Sequence, residues 1–393
     1  MKLGSEETHY RMCIASSLTE IGEKQWDALI QAQPERNPFL SYAFLSALHE
    51  SGSASTRTGW TPCFITLWKA DLLVAAMPLY KKTHSYGEYV FDHAWAHAYH
   101  QHGYIYYPKL LSAIPFTPVS GNRLLASNLS AKTALIQAVL QLCDINDFSS
   151  VHILFPTASE SDLLKEQQFM LRSGVQFHWQ NQGYRDFDEF LAVLDRKKRK
   201  NIKAERRKVQ EAEIQFRHIS GNLIKPDDWQ YFKQCYDNTY SDHHSSPYLN
   251  LDFFLMLGQN MPDNVHMIVA ERLNSPIAAS LLIYDKDTVF GRYWGCTESF
   301  PCLHFETAYY QAIEFCIRMR IATFEGGAQG EHKMARGFLP QKTWSAHYIR
   351  HSAFADAVSD FLDKEQDGIA DYIDELNDRT PYKQETRKGK QVT

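Results

Sequence analysis

An internal repeat constrains the fold of this chain more than any other feature of its sequence. Two local patterns occur twice, in the same order. Pro38-Phe39-Leu40 precedes Phe44, Leu45 and Leu48, just as Pro247-Tyr248-Leu249 precedes Phe253, Phe254 and Leu257; Val74-Ala75-Ala76 precedes Tyr80, much as Ile277-Ala278-Ala279 precedes Tyr284. Two such echoes indicate an old duplication. We therefore expect two similar α+β halves, with a ligand cleft where they meet.

The pattern of apolar residues predicts the same elements in each half, namely two helices, antiparallel strands, a helix and a strand. Strands are predicted at 11–16, 63–68, 72–80, 151–155, 290–295 and 344–349. Helices are predicted at 23–30, 41–52, 131–143, near Ser161, after Pro301 and at 354–376. A further helix is predicted over 190–219, because this stretch contains neither proline nor glycine.

The sequence divides into four parts on this basis. Residues 10–190 form the first half, which carries an aromatic and histidine-rich region suited to binding an acceptor. Residues 191–215 form a basic connecting helix, and residues 216–350 form the second half with a candidate catalytic loop. Residues 351–393 form a C-terminal helix and a polar tail.

The composition, with 44% apolar and 22% charged residues, is that of an ordinary globular protein. The chain has 41 lysines and arginines and 46 acidic residues, so its net charge is −5. The molecule as a whole is therefore not built to hold nucleic acid. Seven cysteines without CxxC spacing favour reduced thiols and a cytoplasmic location. The amino terminus lacks the apolar core of a signal peptide. No apolar run reaches the length of about 18 residues that a transmembrane segment needs.

The connecting helix carries a dense cluster of cations. It begins with Arg196-Lys197-Lys198-Arg199-Lys200 and continues through Lys203, Arg206, Arg207 and Lys208. One interpretation is a solvated helix that only joins the two halves. The other is a surface that binds the phosphates of a nucleotide cofactor, an RNA or a lipid head group, because clustered cations raise the local potential whatever the net charge.

Several common chemistries find no support in the sequence. His93, His97, His100 and His102 crowd one stretch, but no HExxH motif is present and Asp92 is the only carboxylate near them, so no metal site is predicted. Serine hydrolysis lacks a GxSxG motif, and phosphate-loop chemistry lacks GxxxxGK[ST]. Cys302 and His304 are two residues apart and would not face each other on a helix.

A polar cluster beside glycines suits acyl transfer to an amine. An attacking ammonium must first lose a proton, and Glu325 or His332 could accept it in a cleft. The tetrahedral oxyanion then needs hydrogen-bond donors, which Lys333 and the backbone amides of Gly326, Gly327 and Gly330 could supply. The plainer alternatives are that Glu325 only fixes the loop, and that Lys333 and Arg336 belong to a surface salt-bridge network.

The same residues carry a family resemblance. The run from Phe324-Glu325-Gly326-Gly327 through Glu331-His332-Lys333-Met334-Ala335-Arg336 to Gly337-Phe338-Leu339-Pro340 resembles the signature of bacterial FemAB-like predicted N-acyltransferases. Lys342-Thr343-Trp344, Pro38-Phe39-Leu40-Ser41, the segment 84–91 and Pro115-Phe116-Thr117-Pro118 resemble the same group, so the likeness covers nearly the whole chain. The motifs are specific for the family and say little about the substrate.

The resemblance implies a tandem GNAT-like α+β fold, each half being a mainly antiparallel sheet flanked by helices. It also implies kinship with Fem transferases, which add amino acids from aminoacyl-tRNA to peptidoglycan precursors. In those relatives a lysine in the corresponding loop supports the transition state, and by position this is Lys333. The segment 297–303 departs from the acetyltransferase pattern, because it lacks the [RQ]xxGx[GA] loop that cradles coenzyme A.

We therefore predict an N-acyltransferase that moves an acyl or aminoacyl group from acyl-CoA or aminoacyl-tRNA to an amine, such as that of a cell-wall precursor. No tightly bound cofactor is expected; if acyl-CoA is the donor, Gly326, Gly327 and Gly330 are the residues predicted to bind it. The residues predicted to bind substrate are Tyr86, His93, Trp95, Tyr99, Arg123, Tyr293, Trp294, His304 and Arg336. The alternative is a binding protein that keeps the fold without the chemistry and recognises a cell-wall precursor or RNA.

Overall fold

The computed structural model describes residues 10–327 and 330–383 of the chain. Residues 1–9, Gln329 of the predicted polar cluster and the polar tail from 384 onward lie outside the described residues. No described helix has both the length and the apolar character needed to cross a membrane.

The described part contains fifteen strands and twelve α-helices. The strands are β1 (Arg11–Ala15), β2 (Trp60–Pro62), β3 (Phe64–Lys69), β4 (Leu72–Met77), β5 (Tyr80–Lys82), β6 (Lys109–Ser112), β7 (Leu125–Ala126), β8 (Ser150–Leu154), β9 (Met170–Gln180), β10 (Ile214–Ser220), β11 (Val265–Arg272), β12 (Ser275–Tyr284), β13 (Thr288–Cys296), β14 (Thr323–Glu325) and β15 (Leu339–Ile349). The helices are α1 (Glu23–Gln31), α2 (Tyr42–Glu50), α3 (His93–Gln101), α4 (Leu129–Ile145), α5 (Ala158–Glu166), α6 (Phe187–Val193), α7 (Arg196–Glu211), α8 (Pro226–Asp242), α9 (Leu251–Asn260), α10 (Leu303–Phe305), α11 (Gln311–Met319) and α12 (Ser352–Asp378). A π-helical turn, Glu306–Tyr310, joins α10 to α11.

The prediction of one basic helix over 190–219 is wrong in two places. Leu194 is extended and separates α6 from α7. The helix α7 ends at Glu211, and Glu213 takes the left-handed backbone conformation with φ of 57°. The following residues form β10, which pairs antiparallel with β11 from Ile214 to Ser220. Backbone pairing with a distant strand therefore overrides the absence of a local helix breaker.

The chain forms two compact units, each assembled from separate segments. Unit 1 comprises Met1–Gly174, Tyr248–Pro262 and Lys342–Ala370, and unit 2 comprises Val175–Pro247, Asp263–Gln341 and Asp371–Thr393. In unit 1, one sheet has the order β1-β3-β4-β7 with antiparallel neighbours. A second set of strands has the order β2-β5-β6-β8-β15, in which only the β6-β8 pair is parallel.

The repeated segments seen in the sequence take the same local structure. Ser41 caps α2 by accepting a hydrogen bond from the Phe44 amide, and Asn250 caps α9 in the same way. Both helices lie in unit 1, where Phe44 and Phe253 pack edge to face with their ring centroids 5.6 Å apart. The second copy of the repeat therefore completes the core that contains the first.

A buried polar network ties the segment between β5 and β6 to the sheet of unit 1. Lys109 is fully buried, and its ammonium donates to Asp92 at 2.5 Å and to Glu88 and Ser85 at 2.8 Å. Burial alone would lower the pKa of Lys109, but the two carboxylates outweigh it and hold the pKa above its usual value. Burial likewise favours a raised pKa for Asp92, yet Lys109 holds that pKa below its usual range.

Unit 2 is built on the strand order β10-β11-β12-β13-β14-β9. Helix α11 packs on one face of this sheet, where Ile313 and Ile317 join Val289 and Phe324 in a buried cluster. Strands β13 and β14 are parallel, but they pair only from Thr288 to Phe290 on the first strand. Strand β14 ends at Glu325, just before the two glycines, whereas β13 continues to Cys296.

Candidate functional site

A glycine turn at the end of β14 brings the backbone of unit 2 close to a buried lysine. A Cβ on Gly326 would lie 2.8 Å from the Phe338 ring, so a side chain fits here only if that ring moves. Gly327 has φ of +86°, a conformation that favours glycine. The turn exposes the carbonyl oxygen of Gly327 to Lys333, whose ammonium nitrogen donates to it at 2.8 Å.

Lys333 is almost completely buried, with 3% of its surface exposed. Burial, followed by the nearby charge of Arg292, lowers the pKa of Lys333 to about 7. An ammonium has three N–H donors, and the bond to Gly327 uses one of them. Lys333 therefore has donors left for a ligand, and its charge state is sensitive to pH near neutrality.

Glu325 is held on the opposite face of β14 from the apolar core. Because side chains alternate along a strand, Phe324 enters the core while Glu325 points to the other face. Its side chain is only 13% exposed. Burial raises the pKa of Glu325 to about 8, and Arg292 opposes this shift. A carboxyl group with this pKa can exchange a proton at a pH where most carboxylates stay ionised.

Two residues of this cluster were not selected by the sequence analysis. His178 of β9 is the strand partner of Glu325, and its Nε2 lies 3.9 Å from the carboxylate Oε1. Arg292 of β13 shifts the pKa of both Glu325 and Lys333. Arg292 could have been found as the one charged residue in the aromatic run Phe290–Gly295. His178 gives no local signal, because only strand pairing brings it to Glu325.

The π-helical turn presents a second group of side chains. Glu306 in this turn is buried and forms an ion pair with Arg206 of α7 at 2.9 Å. Three residues later, the hydroxyl of Tyr309 lies 3.2 Å from Nε2 of His332. The His332 side chain is exposed, and partial burial, Arg336 and Lys333 lower its pKa. His332 is thus a neutral histidine held by a tyrosine, apart from the Glu325 face.

A small cavity opens beside this second group. It has a volume of about 110 Å³ and includes side chains from β13, β14 and the helix after Pro301. The lining residues are Ser280, Gly291, Arg292, Tyr293, Trp294, His304, Ala308, Tyr309, Phe324 and Gly326. The rings of Trp294 and His304 stack with centroids 4.8 Å apart. Three predicted substrate-binding residues, Tyr293, Trp294 and His304, therefore lie together, and Arg292 and Gly326 link their cavity to the Glu325 cluster.

Arg336 connects the turn that carries Lys333 to helix α7. Its guanidinium donates to the carbonyl of His332 at 2.7 Å and to the carboxylate of Glu205 at 3.0 Å. It also lies 3.4 Å from the centre of the Phe305 ring. These contacts hold the 3₁₀ turn Glu331–Arg336 in place. Arg336 thereby positions Lys333, and its predicted role in binding substrate stays a prediction.

The sequence of the chain matches a family model over most of its length. A family model described as peptidoglycan biosynthesis/recognition, FemAB-like, matches residues 17–384. The chain belongs to the FemAB-like family. Among the curated proteins, none matches this FemAB-like chain. The predicted family is therefore confirmed by the family model.

Solved structures share the fold of this FemAB-like protein at low sequence identity. A crystal structure of FemX aligns with a TM-score of 0.54 and 10% identity, over 86% of this chain and 98% of FemX. The C-terminal domain of a putative lysylphosphatidylglycerol synthetase from Agrobacterium fabrum aligns with a TM-score of 0.51 and 9% identity, over 87% of this chain and 95% of that domain. A protein of unknown function from Bacteroides thetaiotaomicron aligns with a TM-score of 0.50 and 12% identity, over 86% of this chain and 99% of that protein. The predicted α+β fold class is confirmed, and the fold is shared with FemX.

The other predicted substrate-binding residues of the FemAB-like chain lie in unit 1 and fall into two sets. Tyr86 and His93 are exposed. Trp95, Tyr99 and Arg123 are buried. The Arg123 guanidinium donates to the carbonyls of residues 119, 121 and 122, so it fixes a loop of the fold. Whether any of the five binds substrate stays a prediction.

The glycines predicted to bind a cofactor differ in their surroundings. Gly326 and Gly327 form the turn that faces Lys333, whereas a Cβ on Gly330 would collide with the His332 ring. Within residues 10–327 and 330–383, no three His, Cys, Asp or Glu side chains are arranged to hold a metal ion.

Proposed function

We propose that this protein transfers an acyl or aminoacyl group from an activated donor to an amine. The observation that carries the proposal is the cluster of Glu325 and Lys333, two buried ionisable groups whose pKa values lie near neutrality at a glycine turn. Groups that exchange protons near pH 7 in a protected site are what acid-base catalysis requires. Membership of a family described as peptidoglycan biosynthesis/recognition supports this chemistry.

In the proposed reaction, ionised Glu325 takes a proton from the acceptor amine. The amine nitrogen then forms a bond to the carbonyl carbon of the donor, and Lys333 stabilises the negative oxygen of the tetrahedral intermediate. The C–O or C–S bond to the carrier breaks, and the leaving oxygen or sulfur receives the proton that Glu325 took from the amine. Direct transfer of this kind needs no covalent intermediate on the protein.

The cavity lined by Trp294, His304 and Tyr309 is the proposed place for the small reacting end of a substrate. Its volume of about 110 Å³ corresponds to three or four water molecules, at roughly 30 Å³ each. A larger substrate would therefore leave most of its mass outside the cavity. For the acceptor, we propose the amine of a cell-wall precursor, in line with the description of the family.

Helix α7 supports an RNA-linked donor, although acyl-CoA remains the alternative. The helix contains nine Lys or Arg and two Glu, which gives a formal charge of +7 in a chain of net charge −5. In the described part of the chain, Arg196, Lys197, Lys198, Lys200 and Lys208 have no ion-pair partner. The two apolar residues of the helix that are fully buried, Ile202 and Val209, leave the exposed surface polar. A surface of this kind suits phosphates better than insertion into lipid.

The donor can be identified by binding, without an activity assay. We expect fluorescence anisotropy to show binding of uncharged tRNA that weakens steeply with salt. The variant K197A/K200A/K208A removes three exposed cations and should lower the slope of log Kd against log salt by about 2 to 3. A control variant, K24A/K69A/K165A, removes three exposed cations of unit 1 and should behave as the wild type.

A different result would redirect the proposal. If coenzyme A raises the Tm and tRNA does not bind, the donor is a CoA thioester and α7 is a connecting helix. Equal weakening in both triple variants would mean that tRNA responds only to overall charge. Thermal shift works here because a ligand that binds the folded state must stabilise it.

The two candidate bases are separated by a pair of variants. We expect Glu325→Gln to lower kcat/KM by about 10² to 10⁴, because general base catalysis contributes this much. His332→Gln should have a small effect, since His332 is exposed and contacts Tyr309 rather than the Glu325 cluster. With ionised Glu325 and protonated Lys333 both needed, the wild-type optimum should lie between pH 7 and 8. A large loss in His332→Gln alone would make His332 the base.

A further inference from the structure

The imidazole of His178 is largely buried, and its Nε2 has no hydrogen-bond partner among the described residues. Two other buried histidines use both ring nitrogens. His152 contacts Ser150 and His347, at 2.8 and 2.7 Å, and His266 contacts His218 and Ser220, at 2.9 and 2.8 Å. Leaving a buried polar atom without a partner is unfavourable, so such an atom calls for an explanation.

The unpartnered nitrogen faces the candidate base directly. His178 and Glu325 are opposite each other in the antiparallel β9-β14 pair, which places both side chains on the same face. The Nε2–Oε1 distance is 3.9 Å, and both side chains are largely buried, with 14% and 13% exposed. A shift of about 1 Å would bring the two atoms to hydrogen-bond distance. Catalytic hydrogen bonds are often long before substrate binds.

The protonation states of the two groups are complementary. Burial, followed by the charge of Lys333, lowers the pKa of His178 to about 4, so the ring is neutral at pH 7 and can accept a hydrogen bond. Burial raises the pKa of Glu325 to about 8, so this carboxyl group can carry a proton at pH 7. A protonated carboxyl group next to a neutral imidazole is a donor next to an acceptor.

We propose that His178 is a positioning residue for Glu325, and that its Nε2 accepts a hydrogen bond from the Glu325 carboxyl group whenever that group holds a proton. Such a bond stabilises the protonated carboxyl group and so makes the carboxylate a stronger base. The bond forms once Glu325 has taken the proton of the acceptor amine, and it is lost when that proton passes to the leaving group. This inference rests on the proposed function in one respect, the assignment of Glu325 as the base.

The hydrogen bond can be tested without any substrate. In the full chain labelled with ¹⁵N-histidine, we expect the His178 Nε2 resonance to show a neutral acceptor and to shift as Glu325 ionises near pH 8. The Glu325→Gln variant should abolish this shift. His266 is the internal control, because its ring nitrogens are bonded to His218 and Ser220 and should not respond to Glu325. The His178→Gln spectrum assigns the resonance.

Kinetics separates a positioning role from a structural one. His178→Ala removes the acceptor and admits water, so the pH limb that belongs to Glu325 should move to lower pH while KM stays the same. His178→Gln keeps an acceptor oxygen and should restore most of kcat. A pH profile that is unchanged in His178→Ala would overturn the positioning role.

Failure of this inference differs from failure of the proposed function. If His178 Nε2 does not respond between pH 6 and 9 while Glu325→Gln still abolishes transfer, the hydrogen bond is refuted and the base stands. If the Nε2 resonance shifts with pH but Glu325→Gln keeps full activity, the hydrogen bond forms in the free protein without serving catalysis. Both the positioning role of His178 and the assignment of Glu325 as the base are then refuted.

Discussion

Replacing Lys333 with methionine is expected to lower kcat by about 10² to 10³, which corresponds to roughly 2.7 to 4 kcal/mol of transition-state stabilisation. Methionine keeps most of the volume of the buried side chain, so the turn should keep its packing. What disappears is the ammonium that donates to Gly327 and has two further N–H groups for the oxyanion. Steady-state kinetics with the donor identified by binding would measure the loss.

The pH dependence makes this prediction sharper. Burial and Arg292 lower the pKa of Lys333 to about 7, so the charged form is lost as pH rises through this value. If the charged ammonium is the form that acts, wild-type activity should fall on the alkaline side of the optimum, and this fall should be absent from the residual activity of the variant. Lys342→Met is the control, because Lys342 is an exposed lysine nine residues away.

The outcome also distinguishes an enzyme from a binding protein that has kept the fold. Loss of turnover with unchanged Kd for the donor would support catalysis by Lys333. Weaker ligand binding in the variant, with no turnover in either form, would instead support the binding protein. A variant with full turnover would remove Lys333 from the mechanism altogether.

Replacing Lys109 with methionine is expected to destabilise unit 1 by about 3 to 5 kcal/mol, the cost of breaking a buried ion pair by removing one partner. The carboxylate of Asp92 would remain buried without the ammonium that now donates to it at 2.5 Å. Glu88 would lose its 2.8 Å bond to Lys109 and keep only the longer ion pair with Lys82, at 3.8 Å. Urea unfolding followed by intrinsic fluorescence would report the loss. Any transition that belongs to unit 1 should move to lower urea.

Arg350→Met provides a matched control in the same unit. Arg350 and Asp147 are as close as Lys109 and Asp92, at 2.6 Å, but their side chains are 37% and 82% exposed. An exposed pair contributes about 0 to 1 kcal/mol, so the control should unfold nearly as the wild type does. Equal losses in the two variants would show that burial does not set the cost.

Lowering the pH should reduce the difference in stability between Lys109→Met and the wild type. Despite its burial, Asp92 has a pKa held below its usual range by Lys109, so its stabilisation is fully present above the unfolded value of about 3.9. It is lost as pH falls through the lower, folded pKa. In Lys109→Met this stabilisation is absent, and the buried carboxylates gain by protonation. The gap between variant and wild type should therefore narrow as pH falls below 4.

Local sequence determined a large part of this protein. Ser41 and Asn250 cap the helices that begin directly after them, so the local sequence predicts where these helices start. The spacing of the apolar residues around Ile313 and Ile317 determines which face of α11 is buried. The turn at Gly326 and Gly327 follows from glycine chemistry, and Lys333 could be selected because its motif resembles that of a known family. These features depend on neighbours within a few residues, which a single sequence displays directly.

Tertiary structure decided the rest, because strand pairing and burial depend on residues far apart in the chain. Residues 214–220 are a strand only because β11 pairs with them, although nothing local stops the helix. His178 and Glu325 are 147 positions apart in numbering and become neighbours across β9 and β14. The rings of Trp294 and His304 stack in one cavity, whereas His332 contacts Tyr309 and not Glu325. The sequence thus displayed the ionisable groups of the proposed site, and packing decided their partners, their burial and hence the direction in which their pKa values shift.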